Sequence, residues 1–381
     1  MQAKEPQSLA TTVAQWDGHR DHDYGSVVNP IYLTTTYDQS RQPADGARPF
    51  DYSRTSNPNR VDLEDILGRL EGGMACLYSS GMAAVHAAFQ AVCTNASHVV
   101  LPHDAYSGTL RLVLEELARF GVTHSLIDMS DVALVEREVT NATTLIWVEH
   151  PTNPGLRSVD VRSIAGIKKG AVLAVDNTIA TPVYQRPLEL GADLVVHSTS
   201  KYLSGHSDVI GGCVVTSSSE LNARLHVIQN SFGSVPSPVD CFLTGRGLKT
   251  LHLRMSAHTR SAAAVTAFLE SVEGISDVNW PGFSGMVSFR CPSADALADA
   301  LTLFRSATSL GGVESLVKVP WSMSGNMMGA AFKAYPADTV RLSCGIEDPD
   351  DLVRDLDRAF NLIGLTKRHR TAARPTPEAH S

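Results

Sequence analysis

The chain predicts a mostly parallel α/β sheet covered by helices, followed by a smaller α+β unit, and three observations predict it. Short apolar runs at His98 to Leu101, Thr144 to Glu149, Ala171 to Asp176, Ala192 to His197 and Gly212 to Thr216 punctuate helical patterns at Val61 to Glu71, Gly81 to Val92 and Thr109 to Phe120. Such interleaving is the pattern of a parallel sheet with crossover helices. The runs are nearly continuously apolar rather than alternating, which is what strands buried on both faces require. At 381 residues the chain is also long enough to bury a large core and to divide into two domains.

Taken in order, residues 1 to 55 hold few periodic segments and several turn formers, such as Asn29-Pro30 and Pro43-Ala44-Asp45-Gly46, and read as an extended N-terminal arm. Residues 56 to 250 carry the alternating pattern and form the large domain. Leu248 to Val272 is a long helical stretch that leads into a smaller domain ending near residue 365, with strands near Met286 to Arg290 and Thr339 to Ser343 and helices near Ala294 to Leu301 and Asp350 to Leu362. The tail, 366 to 381, is basic, contains proline and almost lacks large apolar residues, so it is expected to be disordered.

Composition narrows the functional classes. A net charge of −8 argues against general affinity for nucleic acid or anionic membrane, and no apolar run approaches the roughly 20 residues of a membrane span. The N-terminus lacks the apolar core of a signal peptide, which together with six scattered cysteines points to a cytoplasmic protein with reduced thiols. No C-x-x-C pair and no helical His pair is present, so metal binding is not expected.

The chemistry turns on Lys201, which follows the apolar strand ending at His197-Ser198, and on Asp176 at the end of another strand. Ligands of parallel sheets sit beyond the carboxyl ends of the strands, so both groups emerge at one rim. A lysine amine attacks an aldehyde only when unprotonated, and burial lowers its pKa. A carboxylate facing a pyridine nitrogen keeps that nitrogen protonated. The pair therefore suits pyridoxal 5'-phosphate held as a Schiff base. Ser79-Ser80-Gly81-Met82 opens an Ala-rich helix whose free N–H groups attract phosphate, and Ser198 and Ser200 add hydroxyls. Seen alone, Lys201 reads as a surface lysine and the serine-glycine turn as a plain helix cap.

These residues carry a resemblance to the Cys/Met-metabolism family of pyridoxal-phosphate enzymes, which includes cystathionine γ-synthases and γ- and β-lyases, methionine γ-lyases and O-acetylhomoserine sulfhydrylases. The matching stretches include Tyr52-Ser53-Arg54, Ser79 to Met82, Pro102 to Tyr106, Glu149 to Pro154, Asp176-Asn177-Thr178, Ser198 to Asp208, Arg246 to Leu251, Ser309 to Leu316 and Arg341 to Glu347, running collinearly from about Tyr24 to Phe360. The resemblance implies the fold type I, aspartate-aminotransferase-like architecture. It makes Lys201 the Schiff-base lysine, Asp176 the ring-nitrogen partner, and Gly81, Met82, Ser198 and Ser200 the phosphate ligands. Tyr106 would stack on the ring and act as acid and base. Tyr52 and Arg54 would reach the phosphate of a neighbouring subunit, which implies a homo-oligomer, commonly a tetramer. Arg341, Ser309 and Asn153 would hold the substrate carboxylate and the ring oxygen. Alone, Tyr106 reads as a core-edge residue and Arg341 as a salt-bridge partner.

Finer marks are mixed. Tyr106-Ser107-Gly108-Thr109-Leu110-Arg111 resembles the segment of cystathionine γ-synthases and γ-lyases, with Arg111 in the substrate region. Thr308, however, stands where those enzymes usually carry glutamate, which removes a charged contact for a distal amino group. Ser200 replaces a usual threonine and keeps its hydroxyl. The passage Asn279 to Met286 is shorter than in relatives. The expected activity is γ-replacement on an O-activated homoserine or a sulfur amino acid, with room for a nucleophile other than cysteine. The alternatives are γ-elimination to 2-oxobutanoate and ammonia, and, from another class, a cofactor-binding scaffold without turnover, against which the full set Lys201, Asp176, Tyr106 and Arg341 argues.

Overall fold

A computed structural model describes residues 7–16, 18, 24–40, 50–324 and 335–367. Two sheets organise them. The larger contains β1 (Met74–Tyr78), β2 (His98–Pro102), β3 (Thr123–Ile127), β4 (Thr143–Glu149), β5 (Val172–Asp176), β6 (Leu194–Ser198) and β7 (Gly212–Thr216), in the order β1-β7-β6-β5-β4-β2-β3. Only β7 runs against its neighbours, pairing antiparallel with both β1 and β6. The smaller contains β8 (Ser276–Asn279), β9 (Met286–Arg290), β10 (Arg305–Ser306), β11 (Leu316–Lys318) and β12 (Thr339–Ser343), in the order β10-β11-β12-β9-β8.

The central strands are apolar throughout because both faces are covered. Ala174, Leu194 and Val196 pack with the helix Gly81–Val92, while Leu173 and Val175 join a second cluster with Val161 and Ile164 on the other face. Each fully buried Val or Leu contributes about 1.5–3 kcal/mol, so this layering fixes the register in which Asp176 lies opposite Val196. The helix Pro58–Glu71 begins where Asn57 caps the N–H of Asn59 and ends at Gly72, whose φ of 84° suits a residue without Cβ.

Several segments differ from the sequence expectation. The helix Leu9–Ala14 and the bridge Thr36–Tyr52 give the arm some regular structure. The helix anticipated over Thr109 to Phe120 begins at Ser107, widens to π geometry over Leu112–Glu116 and closes as a 3₁₀ turn over Leu117–Phe120. The long helix anticipated over Leu248 to Val272 is present as Leu251–Glu270, and a separate helix, Pro238–Leu248, which was not anticipated, precedes it across Lys249-Thr250. The short passage after β8 is a tight turn in which Trp280 Nε1 donates to the Ser284 carbonyl, 3.3 Å, and Phe283 stacks on Tyr184. Pro43 to Gly46 and the tail beyond Lys367 lie outside the described residues. Among the described residues no helix is long and apolar enough to cross a membrane.

Candidate active site

A cavity of about 720 Å³ opens between the two sheets, at the carboxyl ends of β4, β5 and β6. Its lining includes Gly81, Met82, Tyr106, Asn153, Asp176, Ser198, Ser200, Lys201, Thr308 and Ser309, so ten of the residues anticipated from sequence converge on one space. They come from three sources: the start of the helix Gly81–Val92, the strand ends of the large sheet, and the segment after β10.

Lys201 sits in a turn held by its N–H donating to the Ser198 carbonyl, 3.2 Å, and its Nζ donates to Ser309 Oγ, 2.9 Å. Burial, helped by the nearby Arg341 charge, lowers the amine to about 8. Near neutral pH a useful fraction is then the free base, which is what a nucleophilic lysine needs. Asp176 ends β5 and accepts the Thr178 N–H at 3.0 Å. Its pKa is raised, chiefly by burial, while Thr178 and the neighbouring His197 pull the other way.

These strand ends are pinned from behind. Asn177 Nδ2 donates to Glu71 Oε1 at 2.9 Å, and His197 Nε2 meets the same oxygen at 2.6 Å, with Glu71 and His197 both fully buried. The rim therefore cannot shift without disrupting buried polar contacts.

The anion cradle has little spare room. A Cβ on Gly81 would lie 2.7 Å from the Ser198 Cβ, so only glycine lets the helix start approach that strand. Ser80 caps the helix through the Ala83 N–H, 3.0 Å, and the Ser198 N–H donates to Thr178 Oγ1, 2.9 Å. Ser200 Oγ accepts the Gly211 N–H at 2.9 Å and donates to the Gly211 carbonyl at 3.3 Å. That outgoing bond is long, so its hydrogen can turn to an anion.

Arg341 lies behind this cavity, in an adjoining recess with Tyr106, Asn153 and Lys318. Its Nη1 donates to Asn153 Oδ1, 2.9 Å, and its Nη2 to the Ser309 carbonyl, 2.7 Å, while its buried Nε has no hydrogen-bond partner among the described residues. Burial lowers the guanidinium to about 10, which leaves it charged at neutral pH. The Ser309 carbonyl that Arg341 grips belongs to a residue with φ of 136°, a strained conformation for serine. Across β11–β12, Lys318 pairs in register with Arg341, and burial with Arg341 and Lys201 lowers its amine to about 8.

Besides Arg341 in its adjoining recess, three anticipated residues, Tyr52, Arg54 and Arg111, lie outside the cavity of their own chain. Arg54 lies 5.5 Å over the Tyr52 ring and bonds Asn230 Oδ1 at 2.8 Å, and neither residue lines the cavity. Arg111 is exposed at the end of the Ser107–Arg111 turn, where its charge lowers the Tyr106 hydroxyl pKa, which burial and then Glu149 raise more strongly. Glu149 and Lys318 were not anticipated as site residues. Glu149 lines the cavity and accepts the Tyr106 N–H at 2.7 Å; a carboxylate closing an apolar strand beside Asp176 was the available signal. Lys318 gave none, since its place depends on β11 pairing with β12.

The residues fit pyridoxal phosphate: a buried amine of lowered pKa, a buried carboxylate on the same rim, a cradle that only glycine permits, and an orphaned guanidinium N–H where a carboxylate can dock. Comparisons with known proteins agree. The sequence model of the family described as Cys/Met metabolism PLP-dependent enzyme matches residues 10–361. Cystathionine γ-synthase of Mycobacterium tuberculosis is 43% identical over 368 residues, covering 90% of this chain and 94% of that protein. Cystathionine γ-lyase of Bacillus subtilis is 41% identical over 369 residues, covering 90% and 96%. The crystal structure of metB from Corynebacterium glutamicum superposes with a TM-score of 0.90 at 38% identity, covering 94% and 98%.

Proposed function

The chain belongs to the Cys/Met-metabolism family of PLP-dependent enzymes, and from that premise we propose that it catalyses γ-replacement on an O-activated homoserine or a sulfur amino acid. The observation that carries this reading is the Lys201 amine, lowered to about 8 and donating to Ser309 within the cavity that Asp176 and Tyr106 also line.

When bound, PLP supplies a protonated ring that stabilises negative charge at the substrate's α-carbon. Asp176 holds the proton on the ring nitrogen. Ser198, Ser200 and the N–H groups of Gly81 and Met82 bind the phosphate. Arg341, oriented by Asn153 and by the Ser309 carbonyl, receives the substrate carboxylate on its planar donors, including the free Nε–H. The Lys201 amine would take the α-proton of the bound substrate and carry protons between its α- and β-carbons. Tyr106, at the mouth, delivers a proton to the departing γ-group and takes one from the incoming nucleophile. Thr308 from the cavity wall, and Arg111 from outside the cavity beside Tyr106, would meet the distal part of the substrate. Tyr52 and Arg54 complete the phosphate site of a neighbouring subunit in a homo-oligomer of cytoplasmic location, most simply a tetramer.

Elimination is the second reading, and the likeness to a γ-lyase favours it specifically. The decisive assay supplies O-acetyl-, O-succinyl- and O-phosphohomoserine to the purified holoenzyme, with and without thiol or carbon nucleophiles. A new amino acid is the expected product; 2-oxobutanoate alone, whatever nucleophile is offered, would assign a lyase.

A further inference from the structure

Glu149 has no role in the scheme above, yet it lines the cavity and is only 3% exposed. It closes β4 directly opposite Asp176 in the parallel register of β4 and β5, so the two side chains leave the same face of the sheet. Neighbouring strands are about 4.8 Å apart. Two carboxylates at that spacing in a buried site do not both ionise.

We infer that Glu149 is a positioning residue that carries the proton of the Glu149–Asp176 pair, leaving Asp176 as the ionised member, and that fixes Tyr106 through its backbone. The inference rests on the proposed role of Asp176.

The asymmetry between the two acids decides where the proton resides. Asp176 accepts the Thr178 N–H at 3.0 Å, and His197 from β6 lies close enough to favour its anion. Ionisation of Glu149 is opposed first by its burial and then by Asp176 and Asp104, which it faces. The Arg157 guanidinium lies 3.6 Å from Asp104 and 2.6 Å from Asp128, so its charge is spent on those two acids. Tyr335 also faces this side: its hydroxyl donates to the Asp104 carbonyl at 2.8 Å, and burial, then Asp104 and Glu149, raise its pKa. The charges of Arg111 and Arg341 bear on Tyr106. Glu149 still accepts the Tyr106 N–H at 2.7 Å, which a neutral carboxyl does through its carbonyl oxygen. That bond fixes the residue from which the helical turn Ser107–Arg111 departs, and with it the placement of the phenol over the cavity.

The test is difference infrared spectroscopy on the holoenzyme at neutral pH, paired with kinetics. Wild type should show the stretch of a buried protonated carboxyl, and E149Q should lose it while keeping its cofactor. E149Q, neutral and able to accept the Tyr106 N–H, should lower kcat/KM by less than about tenfold, whereas E149A, which orphans that N–H, should lower it by about a hundredfold. No protonated-carboxyl band in wild type, or a band that survives in E149Q, overturns the inference; so does equal damage from E149Q and E149A. Borohydride labelling of the same samples separates the two levels of argument. A tag on Lys201 with a surviving band removes only the role of Glu149. No tag on Lys201 removes the reading on which that role depends.

Discussion

The inner rim of the cavity and its outer wall are built by opposite rules. Asp176, Ser198 and Glu149 end strands paired on both sides, and the residues just behind them, Asn177 and His197, are pinned to the buried Glu71. The wall is made by Arg305 on the two-residue edge strand β10, by Thr308, and by Ile210, which is 68% exposed. Exchanging a rim side chain leaves buried polar groups unpaired, at about 1–3 kcal/mol each, whereas exposed positions usually tolerate change within about 0.5 kcal/mol. On the proposed function, the difference teaches where each property of the enzyme would reside: the reaction in the rim, the choice of reactants in the wall.

The widest contrast comes from removing the rim amine. Lys201→Ala should abolish turnover, lowering kcat by about a thousandfold or more, with steady-state assays and the absorbance of bound cofactor as readouts. A loss of only a few-fold would place the chemistry elsewhere.

Next in size is Arg341→Ala. On the proposed role of Arg341, it removes the charge-assisted bonds to the substrate carboxylate and should raise KM by about a hundredfold. It also frees Ser309, whose carbonyl and hydroxyl Arg341 and Lys201 hold, so kcat should fall as well. Arg341→Lys should recover little, since a single ammonium cannot reproduce the planar fork.

The smallest effect belongs to the wall. Thr308→Glu adds a carboxylate at an exposed position lining the cavity and should lower KM for an amine-bearing nucleophile such as cysteine by about tenfold or less. If it instead destroys turnover as Lys201→Ala does, the division between rim and wall fails.

That division also explains what was legible in the sequence. β4, β5, β6 and β7 could be read because strands buried on both faces must be apolar. β3, Thr-His-Ser-Leu-Ile, could not, because it is a largely exposed edge strand and its residues carry no such constraint. The helix Ser219–Phe232 escaped for a similar reason: only Leu225, Ile228 and Gln229 of its residues are buried. Among site residues, Lys201 and Asp176 stood out because a charged group directly follows or closes an apolar run. Glu149 closes an apolar run in the same way, but its meaning depends on register with Asp176, which the sequence does not display. The contacts of Glu71 with Asn177 and His197 join residues more than a hundred positions apart, and no local pattern announces them.

The most direct measurement is borohydride reduction of the cofactor-loaded protein followed by peptide mapping, repeated across a pH series of apoprotein mixed with fresh cofactor. The Lys201 amine is lowered from the ordinary lysine value to about 8. Uptake should therefore rise with pH through about 8, as the amine loses its proton, rather than near the value of a solvated lysine. A single tag on Lys201 with that midpoint is the expected result. A tag on another residue, or none, would contradict the account.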